Sequence, residues 1–255
     1  MGGSQSDWFD SALGAYLLRC EQVYFDAEVA DVFGYNAFQL GLCKHDFLRA
    51  NRMPRRIRVG EGGDGGPTRI RADYHHLPIQ QSSADLVVLP HVLEFSANPH
   101  QVLREVARIL MPEGHAIIAC FNPWSLWGAR RFVGRDRDAF PWSGQFISLP
   151  RLKDWMALLG LDVTGGRMAC YLPPLSGDHW LQRLSFLDPA GDRWWPFAGG
   201  VYFLHGVKKV QGMRVITPRW KPSLVKSKSL AAAPQRVGED TPVAARNGDG
   251  NGRSS

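Results

Sequence analysis

The apolar positions of this chain change their period from one stretch to the next, and the changes mark out its elements. Leu86 to Leu89 and Ala116 to Phe121 are apolar without alternation, the pattern of strands covered on both faces. Between them Val102, Leu103, Val106 and Leu110 recur at helical spacing. Asn98 is placed to cap that helix, Pro99 sits at its first position, and Pro112-Glu113-Gly114 stops it. A helix of this length between two buried strands predicts a right-handed crossover in a parallel sheet. Thr68 to Asp73 reads as a further short strand ending in an acid, followed by a polar turn with Leu77-Pro78. The stretch from Thr68 to Pro123 is therefore the centre of an α/β domain.

Away from the centre the pattern predicts the following. Residues 6 to about 31 form one or two amphipathic helices, with Trp8 or Phe9, Ala12 or Leu13, Tyr16 or Leu17, Cys20 and Val23 or Tyr24 inward and Ser6 or Asp7 as cap. Val32 to Cys43 holds a first strand and its loop, and Arg56 to Val59 is a second strand. The loop Glu61 to Pro67 is too short for a parallel crossover, so the strands on either side of it pair as a hairpin or one is lost. Leu149 to Leu159 is a helix with Leu152, Trp155, Met156 and Leu159 inward and Gly160 just past its end. Strands at 161–164 and 200–210 follow. The composition of 221–255, rich in Lys, Ser, Ala, Gly and Asn, predicts a disordered tail. The organisation expected is a helical cap (1–31), an α/β domain (32–220) with inserts at about 124–146 and 171–198, and that tail.

Composition changes this picture little. The net charge of +6 looks like a hint of nucleic acid, but from Lys208 onward ten basic residues face three acids, and the body before it is close to neutral. A basic tail without a base-reading motif reads as a solvated extension, so no specific nucleic-acid partner is expected. No 18-residue apolar run and no secretion signal are visible, which leads us to expect a cytoplasmic protein without a transmembrane segment. The cysteines at 20, 43, 120 and 170 lack metal-site spacing and read as reduced thiols.

The central motifs carry a resemblance. Asp73 with Leu77-Pro78, then DLVVLPHVLEF from Asp85, then ILMPEGHAIIACFNP from Ile109 resemble the middle of a class I S-adenosylmethionine-dependent methyltransferase of the type 11 group. The resemblance implies a Rossmann-like, mostly parallel sheet with an antiparallel last strand, and S-adenosyl-L-methionine as cofactor. It implies that Asp73 and Tyr74 bind adenine and that Pro90, His91 and Glu94 line the reaction chamber. The sequence departs from the family where the first strand ends. Gly41 is the one glycine kept, Gln39 stands where an acid is usual, and Leu42-Cys43-Lys44 replace the rest of the glycine-rich loop. Glu61, twenty residues after Gly41, is the candidate for the ribose hydroxyls.

Other residues are weighed on their chemistry. His91 is a candidate general base with Glu94 to orient it; a structural histidine is the alternative reading. His75 and His76, adjacent on an extended segment, point to opposite sides and do not form a metal site, and no metal is expected. Asn122-Pro123-Trp124 resembles the loop of amide methyltransferases but follows the wrong strand. Six of the nine tryptophans sit in the two inserts, which suits a lipid-like or aromatic acceptor, peripheral membrane contact, or plain packing. The function expected is methyl transfer to a small-molecule or lipid-like acceptor. The alternatives are an inactive binding module of the same fold and, further off, a nucleic-acid accessory protein.

Overall fold

The computed structural model describes residues 8–62, 70–133, 139–174 and 197–209. Its strands are β1 (Asn36–Leu40), β2 (Arg55–Gly60), β3 (Ile70–Arg71), β4 (Ala84–Pro90), β5 (Leu110–Phe121), β6 (Leu161–Ala169) and β7 (Val201–Lys208). The helices are α1 (Ala12–Ala30), α2 (Pro99–Ile109), α3 (Leu126–Val133) and α4 (Leu149–Leu158). The strands form one sheet in the order β3-β2-β1-β4-β5-β7-β6. β3, β2, β1, β4 and β5 pair in parallel, while β7 runs antiparallel to both β5 and β6.

The unbroken apolar strands have their cause in two separate cores. Val87, Leu89 and Ile118 face one side, where Val102, Leu103 and Val106 of α2 and Leu152, Trp155 and Met156 of α4 pack. Leu86, Val88, Ile117 and Ala119 face the other, against Leu17, Phe25 and Val29 of α1 and the insert residues Trp127, Phe140 and Trp142. Each strand thus sends alternate side chains into opposite cores, so the runs Leu86–Leu89 and Ala116–Phe121 hold no polar position.

The helix boundaries follow the sequence reading closely at α2 and α4. Asn98 accepts from the backbone N–H of Gln101 at 3.2 Å, with Pro99 at the first turn. Gly160 follows α4 with φ +74°, the left-handed position that a Cβ disfavours. α1 is capped by Ser11, whose hydroxyl accepts from Gly14 N–H at 3.1 Å; the expected caps Ser6 and Asp7 lie outside the described residues. Tyr16, Leu17 and Tyr24 are buried as expected and Cys20 packs half-buried against the core, but the inward stripe Leu17, Glu21, Phe25 and Val29, spaced by four, also carries the buried acid Glu21, while Val23 is exposed.

A correction concerns β2 and β3. They pair neither as a hairpin nor with one lost; Val59 lies opposite Ile70 and Gly60 opposite Arg71 in a parallel ladder. The ladder is two residues long at the sheet edge, so the connection returns only about 3 Å along the strand direction. A full crossover helix is not required for that. The sixth strand is longer than expected and carries Gly165 and Gly166 at its bulge. By contacts the chain divides into Met1–Gly212 and Met213–Ser255. The second unit, including the expected tail, lies outside the described residues, as does most of the second insert.

The Asn98 cap generates a direct test. Asn98→Ala should lower unfolding stability by about 1 kcal/mol, read from urea denaturation, with no change in the slope against urea.

Candidate cofactor and active site

The site is built where β1, β2 and β4 end. Gly41 closes β1 with φ +76°, and a Cβ built there would lie 2.8 Å from Cγ2 of Val92. The loop after β4 therefore presses directly on this glycine, which explains why it alone of the glycine motif is kept. Leu42 follows with φ +44°, a left-handed residue with its side chain buried.

Gln39 organises that loop. Its buried amide nitrogen lies 3.1 Å from the carbonyl of Gly41, 3.3 Å from that of Leu42 and 2.8 Å from that of His45. Its amide oxygen accepts from Phe47 N–H at 3.0 Å. A carboxylate accepts only, so it would face three carbonyls with nothing to donate. The amide is thus what lets the loop turn its carbonyls inward without the missing glycines. Lys44 points away from this centre, to Asp10 at 2.8 Å.

A cleft of about 340 Å³ opens beside the loop. Its lining includes Gly41, Glu61, Tyr74, Pro90, His91 and Val92, together with His75, Phe95 and Ser96. Five of the seven residues singled out in the sequence therefore share one cavity, and Asp73 and Glu94 are not among its lining residues. Glu61 accepts from Tyr74 N–H at 3.3 Å, which ties the end of β2 to the segment after β3. Tyr74 is buried, its hydroxyl donating to Val59 C=O at 3.4 Å.

Asp73 is half exposed and firmly ionised. The backbone N–H of His75 donates to it at 2.8 Å and the His75 ring lies 2.6 Å away, which together hold its carboxyl down at about 2. The His76 ring also turns to Asp73, at 3.4 Å. The two histidines thus converge where divergence was expected, because residues 74 and 75 form a turn instead of an extended strand. His75 reaches Ser96 Oγ with its other nitrogen at 3.0 Å, so Asp73, His75 and Ser96 form a chain along the cleft rim. Glu61, Asp73 and His75 each bring one ligating atom within 4.8 Å of the others.

His91 is in a different environment. Its ring is fully buried, stacked on Phe121 at 4.1 Å, with Nδ1 3.1 Å from Glu94 and Nε2 against Glu21 of α1. Burial opposes a charge on this ring, but the two carboxylates outweigh it and raise its pKa to about 10. Glu94 is fixed in turn by Phe121 N–H, which donates to it at 2.6 Å. With both nitrogens engaged and the proton held, the ring is not presented to an acceptor as a free base. Glu21 is the residue that sequence reasoning missed, although its spacing of four from Leu17 and from Phe25 put an acid on the inward stripe.

Asn122 serves packing. Its amide donates to the carbonyls of Phe197 and Gly199 at 3.0 Å each, and its oxygen accepts from Trp124 N–H at 3.0 Å. Trp127 and Trp142 are buried, whereas Trp124 is 81% exposed.

The buried triad predicts a pH dependence of stability. In the unfolded chain a histidine titrates near its ordinary value of about 6.5. The stabilisation from charged His91 is therefore full below that pH, declines above it, and is gone once pH passes through about 10. Urea midpoints of the protein should fall between pH 7 and 10 relative to those of His91→Gln, which lacks this contribution. Parallel curves for the two would contradict it.

Comparison with known proteins agrees with the architecture. Residues 44–118 match the methyltransferase domain family of type 11, a match that begins just beyond the divergent loop. The Escherichia coli (strain K12) protein YafS, itself uncharacterized, is 36% identical over 156 residues, covering 61% of this chain. The aligned region spans 65% of the length of that relative. A chain of the complex between the Haloferax volcanii Trm112 methyltransferase activator and its methyltransferase superposes with a TM-score of 0.59 at 18% identity, covering 82% of this chain and 100% of that one. A S-adenosylmethionine-dependent methyltransferase from Thermotoga maritima gives 0.55 at 15% identity over 74% of this chain and 90% of that one. One from Mesorhizobium loti gives 0.52 at 19% identity, over 78% and 99%. The parallel sheet with its antiparallel β7 is the fold of the class I methyltransferases, and residues 44–118 match the type 11 methyltransferase domain.

Proposed function

We propose that the chain binds S-adenosylmethionine in the cleft beside Gly41 and transfers its methyl group to a small-molecule or lipid-like acceptor. The observation that carries this reading is the convergence of Gly41, Glu61, Tyr74 and Pro90 on one cavity at the ends of β1, β2 and β4. The residues fit the group. Gly41 presents bare backbone to the cleft, and Glu61 offers a carboxylate, the group able to accept from both ribose hydroxyls at once. Ionised Asp73 serves as acceptor for the adenine amino group beside Tyr74.

Bound S-adenosylmethionine supplies an electrophilic methyl group on a positively charged sulfur. The protein's part is to align and to exclude water. Pro90 and Val92 form a wall held against Gly41, and Phe95, stacked on Phe140 at 4.8 Å, adds an aromatic ring to the lining. Alignment of donor and acceptor accounts for most of the barrier such an enzyme must remove, so His91 and Glu94 act as part of a fixed wall instead of as acid and base.

The acceptor class is supported by α3. Trp124, Leu126, Phe132 and Val133 are all exposed, while Arg130 and Arg131 turn back to the rings of Trp142 and Phe146. An outward helix face without charge suits an apolar acceptor or contact with a membrane surface. No described helix is long and apolar enough to cross a membrane. The four free cysteines support a reducing, cytoplasmic setting.

Calorimetric titration with S-adenosylmethionine and S-adenosylhomocysteine tests the reading. The protein should bind both at micromolar concentration, and Glu61→Ala and Asp73→Ala should each weaken binding by about tenfold or more. No binding at millimolar cofactor by folded protein would overturn it.

A further inference from the structure

Three elements meet at His91, and the meeting point lies against the proposed cofactor wall. His91 itself has φ +51°, a left-handed conformation that a branched or bulky side chain seldom adopts unless its surroundings enforce it. What enforces it is visible. Its N–H donates to Ala119 C=O of β5 at 3.0 Å, and its ring is held from below by Glu94 and from α1 by Glu21. The neighbours of this turn, Pro90 and Val92, are the residues that close on Gly41.

Glu21 is an unexpected residue for this place. It is a fully buried acid in the middle of an otherwise apolar helix stripe, and its second carboxylate oxygen has no partner among the described residues. An acid so placed costs stability unless it is paired, and its partner is the His91 ring. A well-packed apolar residue would dock α1 at lower cost, so packing alone does not account for an acid here.

We propose that Glu21 is a positioning residue for the cofactor cleft: from α1 it holds His91 in the left-handed turn and so sets the Pro90 to Val92 wall against Gly41. The inference rests on the reading that this cleft takes S-adenosylmethionine. The affinity of the cleft then depends on a helix whose Glu21 lies outside it. Removing the acid lets the ring relax and the wall retreat.

The groups that face His91 are few. They are Glu21 from α1, Glu94 from its own turn and the Phe121 ring from β5; behind Glu94 stand Cys120 of β5 and Tyr202 of β7, both pushed up by burial and neutral near physiological pH. Loss of one of the two carboxylates therefore moves the His91 titration down, and among the described residues no other charged group is in contact to compensate.

The test measures S-adenosylhomocysteine affinity by calorimetry from pH 6 to 9 for the full chain, Glu21→Ala, Glu21→Gln and Glu28→Gln. Glu28 lies on the same helix but pairs with His205 at 2.8 Å, so it controls for general loosening of α1. Glu21→Ala should bind about tenfold more weakly. Glu21→Gln, which keeps an acceptor for the ring, should recover much of the affinity at pH 6 and lose it toward pH 9. The wild type and Glu28→Gln should show no such decline. Equal affinity of wild type and both Glu21 variants across the range, or equal weakening by Glu28→Gln, would overturn the inference while leaving the cofactor reading intact. If Glu21→Ala fails to fold, the pH profile of Glu21→Gln decides alone. Absence of binding by the wild type would sink the cofactor reading and this inference with it.

Discussion

Burial of both sheet faces is the constraint on which the rest depends. α2 and α4 pack apolar side chains on one face of the central strands, and α1 and the first insert pack them on the other. The backbone groups left open are those at the strand ends, where β1, β2 and β4 release their chains into loops. Ligands of open α/β sheets gather there for that reason. The two-residue β3 contributes in the same way: it is too short to add a sheet surface, but it delivers Asp73 and Tyr74 to the rim.

Within that rim, stability and recognition pull on the same atoms. Gly41 must be left-handed and must lack a side chain, because Val92 occupies the space. Gln39 turns its two amide hydrogens toward three inward carbonyls, those of Gly41, Leu42 and His45. Each such device limits the loop to one shape, which lowers the entropy a ligand must remove on binding.

What was legible in the sequence was what repeats. The apolar runs at 86–89 and 116–121 and the capped helix between them rest on local periodicity or on one residue's backbone preference. Gly41, Glu61, Tyr74 and Pro90 came together because a resemblance supplied the long-range order that local pattern lacks. The parallel pairing of β2 and β3 was misjudged because connection length was weighed without the ladder length that sets the distance to be crossed. Convergence of His75 and His76 on Asp73 depended on a turn that no periodicity marks.

Glu21 is the more instructive miss, since its position was readable and its partner was not. Seventy residues separate it from His91, and only the fold brings the two together. An acid on the buried stripe of an amphipathic helix violates the pattern that made the helix recognisable. Such a violation has a cost, so a matching buried cation was to be sought elsewhere in the chain. Among residues that end a strand next to the cleft, His91 was the one able to carry that charge while stacking on an aromatic ring. The argument from an unpaired acid to a protonated histidine therefore runs in one direction: the departure from periodicity, weighed by its electrostatic cost, points to the site that periodicity itself leaves unmarked.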